Sequence, residues 1–358
     1  YIKKAIEINP EYAEAHNNFG VILRDLNLMH KSEASLIKAV NLKPNYYSAI
    51  WNLSITRLNQ ENYREGWLGF NSRWLNPNLN QIQSIFTNKP IWNGKDLGNL
   101  LIWSEQGIGD QIMFSRFFNN LRDYSGQIYS ILNPKLENIL SESFPHINFV
   151  QSLDQDKFDF HLPVASLGEI FIKNKNDLID NSKPYLFSKS CKIKNLSKKN
   201  TLIGISWKSV NNKLGKNKSM KLSDLKNILD IPNATFVNLQ YGDVDNEIQA
   251  INNQIKNKVL NLKDINMFDD VESMASLISK LDLVLTISNS TAHLAGALGK
   301  ETILMLSKGR GHLWYWMHGD DKRSKWYPTI EVIQQEKINL WNNVLDEAKE
   351  LIERKVNS

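Results

Sequence analysis

The sequence predicts an α/β protein in which an α-helical repeat array is followed by two α/β domains, each with a parallel sheet. Three observations support this fold class. A 34-residue periodicity occupies residues 1–75, β-like and α-like segments alternate over residues 98–187, and the alternation begins again at about residue 200. Alternation of this kind favours a parallel sheet with helices on both of its faces.

Composition and charge exclude several classes of protein. The 358 residues are 42% apolar and carry a net charge of +5. The longest apolar runs stop short of the roughly 20 residues that span a bilayer, and the start "YIKKAIEINP" lacks the apolar core of a signal peptide. Cys191 is the single cysteine, which fits a reducing compartment. We therefore expect a cytoplasmic protein without a transmembrane segment, and the thinly spread charge predicts no nucleic-acid partner.

The helical array is indicated by residues that recur 34 positions apart, such as Ala5 and Ala39, or Pro10 and Pro44. This is the period of helix–turn–helix solenoids, which present a binding or scaffolding surface, here for an acceptor or a protein partner. The first residues are similar to the end of a preceding unit, so we expect further repeats before residue 1. The positions that resemble tetratricopeptide repeats (TPRs) are Phe19, Gly20, Leu23, Leu36, Ala39 and Pro44.

Composition shifts mark the expected domain boundaries. Proline, glycine and polar residues over residues 76–97 predict a linker. The first α/β domain is expected at residues 98–187 and the second at 200–336, with the lysine-rich joint "SKSCKIKNLSKKN" (residues 188–200) between them. Residues 337–358 predict a terminal helix that crosses back to pack on the first α/β domain. Two such domains face each other across a cleft at the carboxyl ends of their strands, where open α/β sheets bind ligands.

A turn in the first α/β domain is a candidate site. In "IWSEQGIGDQIMFSRF" (residues 102–117), an apolar strand is followed by Gln106, Gly107, Gly109 and Asp110, and then by a helix-like run. The glycines allow a tight turn without side chains that would block a ligand, and a carboxylate at a helix N-terminus stays ionised. Asp110 is therefore a candidate site residue at a strand end that faces the expected cleft, with simple capping of the helix as the alternative.

Two segments of the second domain predict a diphosphate site. The strand in "LDLVLTISNST" ends at four small polar residues that open a helix, and a helix N-terminus after a parallel strand suits a phosphate. The loop "WKSVNNKLGKNKSMK" (residues 207–221) carries five lysines, whose ammonium groups neutralise phosphate. Helix capping and ordinary surface lysines are the alternatives. The residues predicted to bind this diphosphate, and so to bind the donor molecule that carries it, are Lys208, Lys218, Gln240, Ser288, Asn289, Ser290 and Thr291.

Several stretches occur together in the order typical of one group of proteins: "LLIWSEQGIGDQIMFSRF", "KFDFHLPVASLGEIF", "KPYL", "IGISWKS", "LDLVLTISNSTAHLAGALGKETILML" and "KWYPTIEVIQQ". With the repeats, they resemble bacterial TPR proteins that end in a heptosyltransferase-type glycosyltransferase domain and, more distantly, O-GlcNAc transferase. The resemblance implies a GT-B fold of two Rossmann-like domains. It also implies transfer of a sugar from a nucleotide-diphosphate donor to a hydroxyl of a glycan, lipid-linked saccharide or protein, without a cofactor or a required metal. It makes Asp110 the base and places His293 near the donor phosphates.

The sequence departs from that family at two places. Ser288-Asn289 stands where many relatives have Asp-Thr, and "GHLWYW" (residues 311–316) replaces an Asp-Trp-Arg-Trp stretch. The donor sugar therefore cannot be taken from the resemblance. A catalytically inactive scaffold or sugar-nucleotide-binding module is the alternative function.

Two further patterns allow more than one interpretation. Asp154-Gln155-Asp156 and Asp243-Val244-Asp245 have the Asp-x-Asp form of metal-dependent sugar transferases. The second follows a strand and is the better metal candidate, but the two-domain architecture argues against it. A concentration of aromatic residues predicts a local core rather than a surface for stacking on a base or sugar. These aromatic residues are Trp314, Tyr315, Trp316, Trp326 and Tyr327.

Overall fold

The computed structural model describes residues 1–76, 79, 87–189, 196, 199–210 and 214–357. Parts of the predicted linker and of the lysine-rich joint, together with Cys191 and Lys213, lie outside the described residues. The chain begins with helices joined by short turns and continues as a 3₁₀ turn to Trp74. These helices are α1 (Ile2–Ile8), α2 (Ala13–Asp25), α3 (Met29–Leu42), α4 (Tyr47–Asn59) and α5 (Tyr63–Phe70).

The first sheet is entirely parallel in the part of the chain that the structure describes, with strand order β3-β2-β1-β4. All four residues of β1, Leu-Leu-Ile-Trp, are buried, as expected for a central strand that is covered on both faces. The strands are β1 (Leu100–Trp103), β2 (Ile128–Ile131), β3 (Asn148–Phe149) and β4 (Phe160–Pro163). The helices beside them are α6 (Ile108–Ser115), α7 (Glu137–Ser143), α8 (Leu167–Phe171) and α9 (Lys175–Asp180).

The second sheet has the order β6-β5-β7-β8-β9 and, among the described residues, is also parallel throughout. The apolar strands β7 and β8 lie at its centre and are completely buried. Its strands are β5 (Thr201–Ile205), β6 (Ala234–Asn238), β7 (Leu283–Ile287), β8 (Thr302–Leu306) and β9 (Ile330–Gln334). Its helices are α10 (Gly215–Lys218), α11 (Lys226–Leu229), α12 (Asp245–Asn252), α13 (Val271–Lys280), α14 (Ser290–Ala297) and α15 (Asn342–Val356). The fold is thus mixed α/β with two parallel sheets, as predicted.

The helical segment and both α/β regions share one apolar core. Trp67 of α5 packs edge-on against Phe114 of α6 and against Trp314, with ring centroids 6.3 and 5.8 Å apart. Helices α6 and α14 approach each other so closely that a Cβ atom at Gly109 would lie 2.8 Å from Cδ2 of His293. Only glycine permits this approach without displacing the histidine, so the turn before Asp110 is pressed against the second α/β region.

The terminal helix corrects one sequence-based expectation. Helix α15 packs on the second α/β region, against α11, β8 and β9, rather than on the first. Val344, Ala348 and Ile352 recur every four residues and form its buried stripe. The short connection from β9, which ends at Gln334, keeps the helix beside its own sheet, and the helix begins at Asn342 rather than at residue 337.

No helix among the described residues combines the length and apolar character needed to cross a lipid bilayer.

Candidate active site

A cleft of about 530 Å³ lies between the two α/β regions, where the carboxyl ends of β1 and β7 face each other. It brings together the glycine turn of the first region, the N-terminus of α14 and the lysine loop after β5. An apolar and aromatic wall completes it. The sequence-predicted residues that line the cleft are Gln106, Gly107, Gly109, Asp110, Lys218, Ser288, Asn289, Ser290 and His293.

Asp110 is the carboxylate of the cleft. It is the third residue of α6, which has Gly107 as its N-cap, and its side chain is partly exposed to the cleft. Burial raises the pKa of Asp110 to about 6, because the surrounding protein disfavours the charged form. Lys218 opposes this shift by attraction, and Glu105 adds to it by repulsion. The carboxyl group therefore changes its protonation near neutral pH, as a general base requires.

Lys218 is the buried cation of the cleft. Its side chain is 5% exposed, and it makes no hydrogen bond or ion pair with any residue that the structure describes. Burial lowers the pKa of Lys218 to about 8, while the charge of Asp110 acts in the opposite direction. A buried ammonium group without a partner is costly unless a ligand supplies the missing anion. This lysine is accordingly placed to accept a phosphate group.

At the start of α14, some hydrogen-bonding groups are used within the protein and others are available to a ligand. Asn289 is the N-cap: its Oδ1 accepts from the Ala292 amide at 3.2 Å, and its Nδ2 donates to Ser206 Oγ at 2.8 Å. Ser288 Oγ accepts from Trp316 Nε1 at 2.9 Å. The side chains of Ser288 and Asn289 are thus engaged within the protein. The amides of Ser290 and Thr291, the first two residues of the helix, have no preceding turn to supply an acceptor.

His293 lines the cleft but is embedded among aromatic rings. Its Nδ1 lies 3.0 Å from the Tyr327 hydroxyl, and its ring centroid lies 4.8 Å from that of Trp316. Burial lowers the pKa of His293 to about 3, and the charges of Lys218 and Arg116 add to the effect. The imidazole is therefore neutral at physiological pH.

The predicted aromatic core is confirmed. The five aromatic residues predicted to form it are all buried: Trp314, Tyr315, Trp316, Trp326 and Tyr327. Trp316 and Trp326 have no exposed surface. Two of them, Trp314 and Tyr315, also contribute to the wall of the cleft.

Three predicted donor-binding residues lie outside the cleft lining. Lys208 forms an ion pair with Glu247, which holds its ammonium group on another part of the surface. Gln240 is buried and structural: its Oε1 accepts from the amides of Trp207 and Lys208 at 2.9 and 2.7 Å and so shapes the loop after β5. Thr291 is completely buried, and its hydroxyl has no hydrogen-bond partner among the described residues.

The Asp-x-Asp motifs do not line the cleft either. Asp245 forms an ion pair with Lys263, and its Oδ1 accepts from Asn261 Nδ2 at 2.8 Å. In the described part of the chain, no group of three or more histidine, cysteine, aspartate or glutamate side chains is arranged to hold a metal ion.

A buried ion pair beside the cleft was not predicted from the sequence. Arg73, which follows α5, donates from Nε and Nη2 to the two carboxylate oxygens of Glu105 at 2.8 and 3.0 Å. Both side chains are completely buried, and the guanidinium carbon lies 4.5 Å from the ring centroids of both Phe70 and Trp74. Glu105 lies two residues before Gly107. The helical segment therefore holds the loop that carries Asp110.

An apolar end of the cleft was also missed. Met267, Phe268 and Met274, which come from the start of α13 and the segment before it, line the cleft together with Tyr241. The ammonium group of Lys135 lies 3.5 Å from the centroid of the Phe268 ring. The centroids of the Phe268 and Tyr241 rings are 6.4 Å apart. Aromatic and thioether side chains of this kind suit a flat organic ring.

The raised pKa of Asp110 predicts a pH-dependent stability that Asp110→Asn removes. Between pH 3.8 and about pH 6, Asp110 is protonated in the folded state but has lost its proton in the unfolded state. The free energy of unfolding therefore falls as the pH rises through that window. Asparagine carries no charge to desolvate. We expect the variant to be more stable than the parent by ~1–2 kcal/mol at about pH 7.5 and not at about pH 4. Urea denaturation at both pH values measures this, and identical pH dependence in the two proteins would contradict it.

A comparison with solved structures identifies the fold that the two parallel sheets and the cleft between them form. The glycosyl transferase family 9 structure from Veillonella parvula superimposes with a TM-score of 0.51 and 13% identity, and the match covers 74% of this chain and 97% of that one. The ADP-heptose LPS heptosyltransferase II of E. coli is 13% identical with a TM-score of 0.47, over 72% of this chain and 99% of that one. The Veillonella structure shows that this chain has the GT-B type of fold.

Among curated proteins, the chain is similar to Protein FlbA of Caulobacter vibrioides. The two are 22% identical over 408 residues, an alignment that covers 95% of this chain and 67% of that protein. No protein-family model matches the sequence.

Proposed function

We propose that this protein is a glycosyltransferase that moves a sugar from a nucleotide-diphosphate donor to a hydroxyl group of a glycan, lipid-linked saccharide or protein. The observation that carries the proposal is that one cleft holds a carboxylate and a buried ammonium group that has no partner among the described residues. Asp110 and Lys218 both line it, and each shifts the pKa of the other. The fold shared with a family 9 glycosyl transferase supports the same conclusion.

In the proposed reaction, Asp110 accepts the proton of the acceptor hydroxyl while that oxygen forms a bond to the anomeric carbon of the donor. The bond between the anomeric carbon and the diphosphate oxygen breaks, and its electron pair leaves with the diphosphate. Lys218 neutralises the developing charge, and the amides of Ser290 and Thr291 at the start of α14 donate to the phosphate oxygens. His293, which is neutral, is available as a hydrogen-bonding group at the same place.

The nucleobase of the donor is proposed to lie at the apolar end of the cleft, between Tyr241 and Phe268. This end belongs to the same α/β region as Lys218 and α14. The base and the diphosphate would then be held by one region, while the first region presents Asp110 to the acceptor. Such a division leaves the sugar between the two regions, where the reaction has to occur.

We further propose that the N-terminal helices are TPRs. Helices α2 and α4 begin 34 residues apart, at Ala13 and Tyr47. Helices α3 and α5 also begin 34 residues apart, at Met29 and Tyr63. Both helices of the pair thus recur with the period of a helix–turn–helix solenoid, which supports a repeat.

The contact inside each helix pair recurs as well. Ser32 Oγ of α3 donates to the Gly20 carbonyl of α2 at 2.7 Å, and Ser54 Oγ of α4 donates to the Gly66 carbonyl of α5 at 2.7 Å. The serine and the glycine have exchanged helices between the two pairs, but the small residues stay at equivalent positions. Small residues at a helix crossing allow the two backbones to approach closely, and this recurrence supports the TPR proposal.

Replacement of Lys218 by methionine tests donor binding. Methionine preserves most of the volume and removes the charge, so Lys218→Met should weaken binding of a nucleoside diphosphate by about tenfold or more, the usual value of a hydrogen bond to a charged group. Lys216→Met is the matched control, because Lys216 is exposed on the same short helix. Calorimetric titration of ADP and UDP without added metal measures both. Equal affinity in the two variants would contradict the assignment of Lys218.

The alternative function, a sugar-nucleotide-binding module without turnover, makes a different prediction. Ser288 and Asn289, where many relatives carry Asp-Thr, are occupied by hydrogen bonds within the protein. A protein that binds the nucleotide through Lys218 but releases no diphosphate from any nucleotide-diphosphate sugar would fit that alternative. Measurable release of diphosphate favours the transferase.

A further inference from the structure

A second cavity, the side cavity, lies between the helical segment and the second α/β region. It encloses about 330 Å³ and is lined by Arg24 and Asp25 at the end of α2, and by Lys308, Arg310 and His312 in the segment after β8. None of these residues belongs to the cleft described above. Three of them are permanent cations at neutral pH, against a single carboxylate.

The guanidinium group of Arg24 has hydrogen-bond donors that no described residue uses. Its Nη1 makes only two long hydrogen bonds, at 3.4 and 3.5 Å, to the carbonyl and side-chain oxygens of Asn52. Its Nε and Nη2 atoms have no hydrogen-bond partner among the described residues. Burial lowers the pKa of Arg24 from its usual value, which reflects the cost of enclosing this charge. A guanidinium group presents a planar fork that matches the two oxygens of a carboxylate or phosphate.

His312 supplies an independent observation. Its Nδ1 lies 2.9 Å from Gln334 Nε2, and because the amide nitrogen is a donor, Nδ1 accepts. The proton of the neutral imidazole is then on Nε2. That atom is buried and has no acceptor within the described structure. Burial lowers the pKa of His312 to about 4, so the ring is a neutral donor at physiological pH.

The remaining charges leave the side cavity positive. Burial raises the pKa of Asp25, and the charges of Arg24 and Arg310 act in the opposite direction. Asp25 forms no salt bridge with either arginine. Lys308 Nζ donates to the Glu336 carbonyl at 2.8 Å, and this acceptor carries no compensating charge. Arg310 is exposed at the rim and makes no hydrogen bond or ion pair with another described residue. An anion that entered here would find donors from two separate parts of the chain.

The side cavity adjoins the cleft. The linings of the two share Trp51, Leu214, Leu313 and Trp314, so the side cavity and the cleft are direct neighbours. We propose that the side cavity binds a carboxylate or phosphate group carried by the acceptor, and so selects anionic acceptors; this rests on the proposed transferase function. The acceptor hydroxyl then reaches Asp110 while its anionic group is held by Arg24, Arg310 and His312.

The test uses inorganic phosphate and D-glucuronate as probes, with D-glucose as the neutral control. Each is titrated calorimetrically into the parent protein and into Arg24→Gln, Arg310→Gln and Lys218→Met, at one fixed salt concentration. Arg64→Gln is the matched control, because Arg64 is an exposed arginine of the helical segment that lies outside the side cavity. Phosphate and glucuronate distinguish the two kinds of anion.

We expect at least one anion to bind the parent and to bind about tenfold or more weakly to Arg24→Gln and Arg310→Gln. Arg64→Gln should retain the parental affinity for both anions, Lys218→Met should retain it for D-glucuronate, and D-glucose should not bind measurably. D-glucuronate binding that is lost in Lys218→Met but kept in both arginine variants would place the anion in the cleft and overturn the proposal. Absence of binding to the parent would also overturn it.

Two features keep the test decisive. Arg310 is exposed, so Arg310→Gln preserves the fold even if Arg24→Gln does not, and its result then stands alone. Titration of the same proteins with a nucleoside diphosphate examines the proposed function separately. If the parent does not bind a nucleoside diphosphate, the transferase proposal fails. The anion titrations, by contrast, report on the side cavity itself.

Discussion

Asp110→Asn is expected to reduce sugar transfer and donor hydrolysis by about 10² to 10⁴, the usual contribution of a positioned general base. Asparagine has the size of aspartate and retains an oxygen at the start of α6, but it cannot accept the proton of the acceptor. Donor binding should change little, because Lys218 and α14 remain. Hydrolysis of a nucleotide-diphosphate sugar, with water as a surrogate acceptor, measures the effect before an acceptor is known. A variant that hydrolyses the donor at the parental rate would return the carboxylate to a purely structural role.

The pH profile of the parent gives a second readout of the same assignment. The rate should rise as Asp110 loses its proton near its pKa of about 6 and fall as Lys218 loses its own near about 8. The ascending limb belongs to the base, so Asp110→Asn should lack it, whereas Lys218→Met should lack the descending limb. A rate that falls neither below about pH 6 nor above about pH 8 would contradict both assignments.

Arg73→Met is expected to destabilise the protein by ~3–5 kcal/mol, because it leaves the buried Glu105 carboxylate without its partner. Both side chains have no exposed surface, and the Ala165 amide, which also interacts with Glu105, carries no charge that could replace the guanidinium group. The double variant Arg73→Met/Glu105→Gln should recover part of the lost stability, because it no longer contains a buried unpaired charge.

Arg122→Met is the matched control for this prediction. Arg122 is exposed and bonds locally to Asn119, so its replacement should change the free energy of unfolding by less than about 0.5 kcal/mol. Urea denaturation of the variants measures all of these values. If Arg73→Met unfolds at the same urea concentration as Arg122→Met, the ion pair does not hold the cleft loop to the helical segment.

Local sequence patterns were enough to predict the central elements of the fold. The apolar run of β7 followed by Ser288 to Thr291 indicated a buried parallel strand and a capped helix, and the structure has both. The glycine turn before Asp110 similarly indicated a strand-to-helix turn. These features depend on neighbours within a few residues, and such information is present in any short window of sequence.

The pairing of distant charged groups could not be predicted in this way. Five lysines follow β5, and nothing local distinguishes Lys218 from Lys208. Lys218 becomes buried because α10 packs against the turn after β8, while Lys208 is taken by Glu247, which lies far along the chain. Arg73 in "NSRW" is likewise indistinguishable from a surface arginine until Glu105 is brought to it. Tertiary packing decides which charges are paired and which remain available to a ligand.

The most direct test of the transferase proposal is the release of nucleoside diphosphate from nucleotide-diphosphate sugars, followed by phosphorus NMR without added metal. The parent should release diphosphate from at least one donor, Asp110→Asn should release it about 10² or more times more slowly, and Asp243→Asn should match the parent. Release that requires Mg²⁺ or Mn²⁺ and disappears in Asp243→Asn would contradict the metal-independent mechanism. Failure of the parent to release diphosphate from any donor, with or without metal, would contradict the transferase itself.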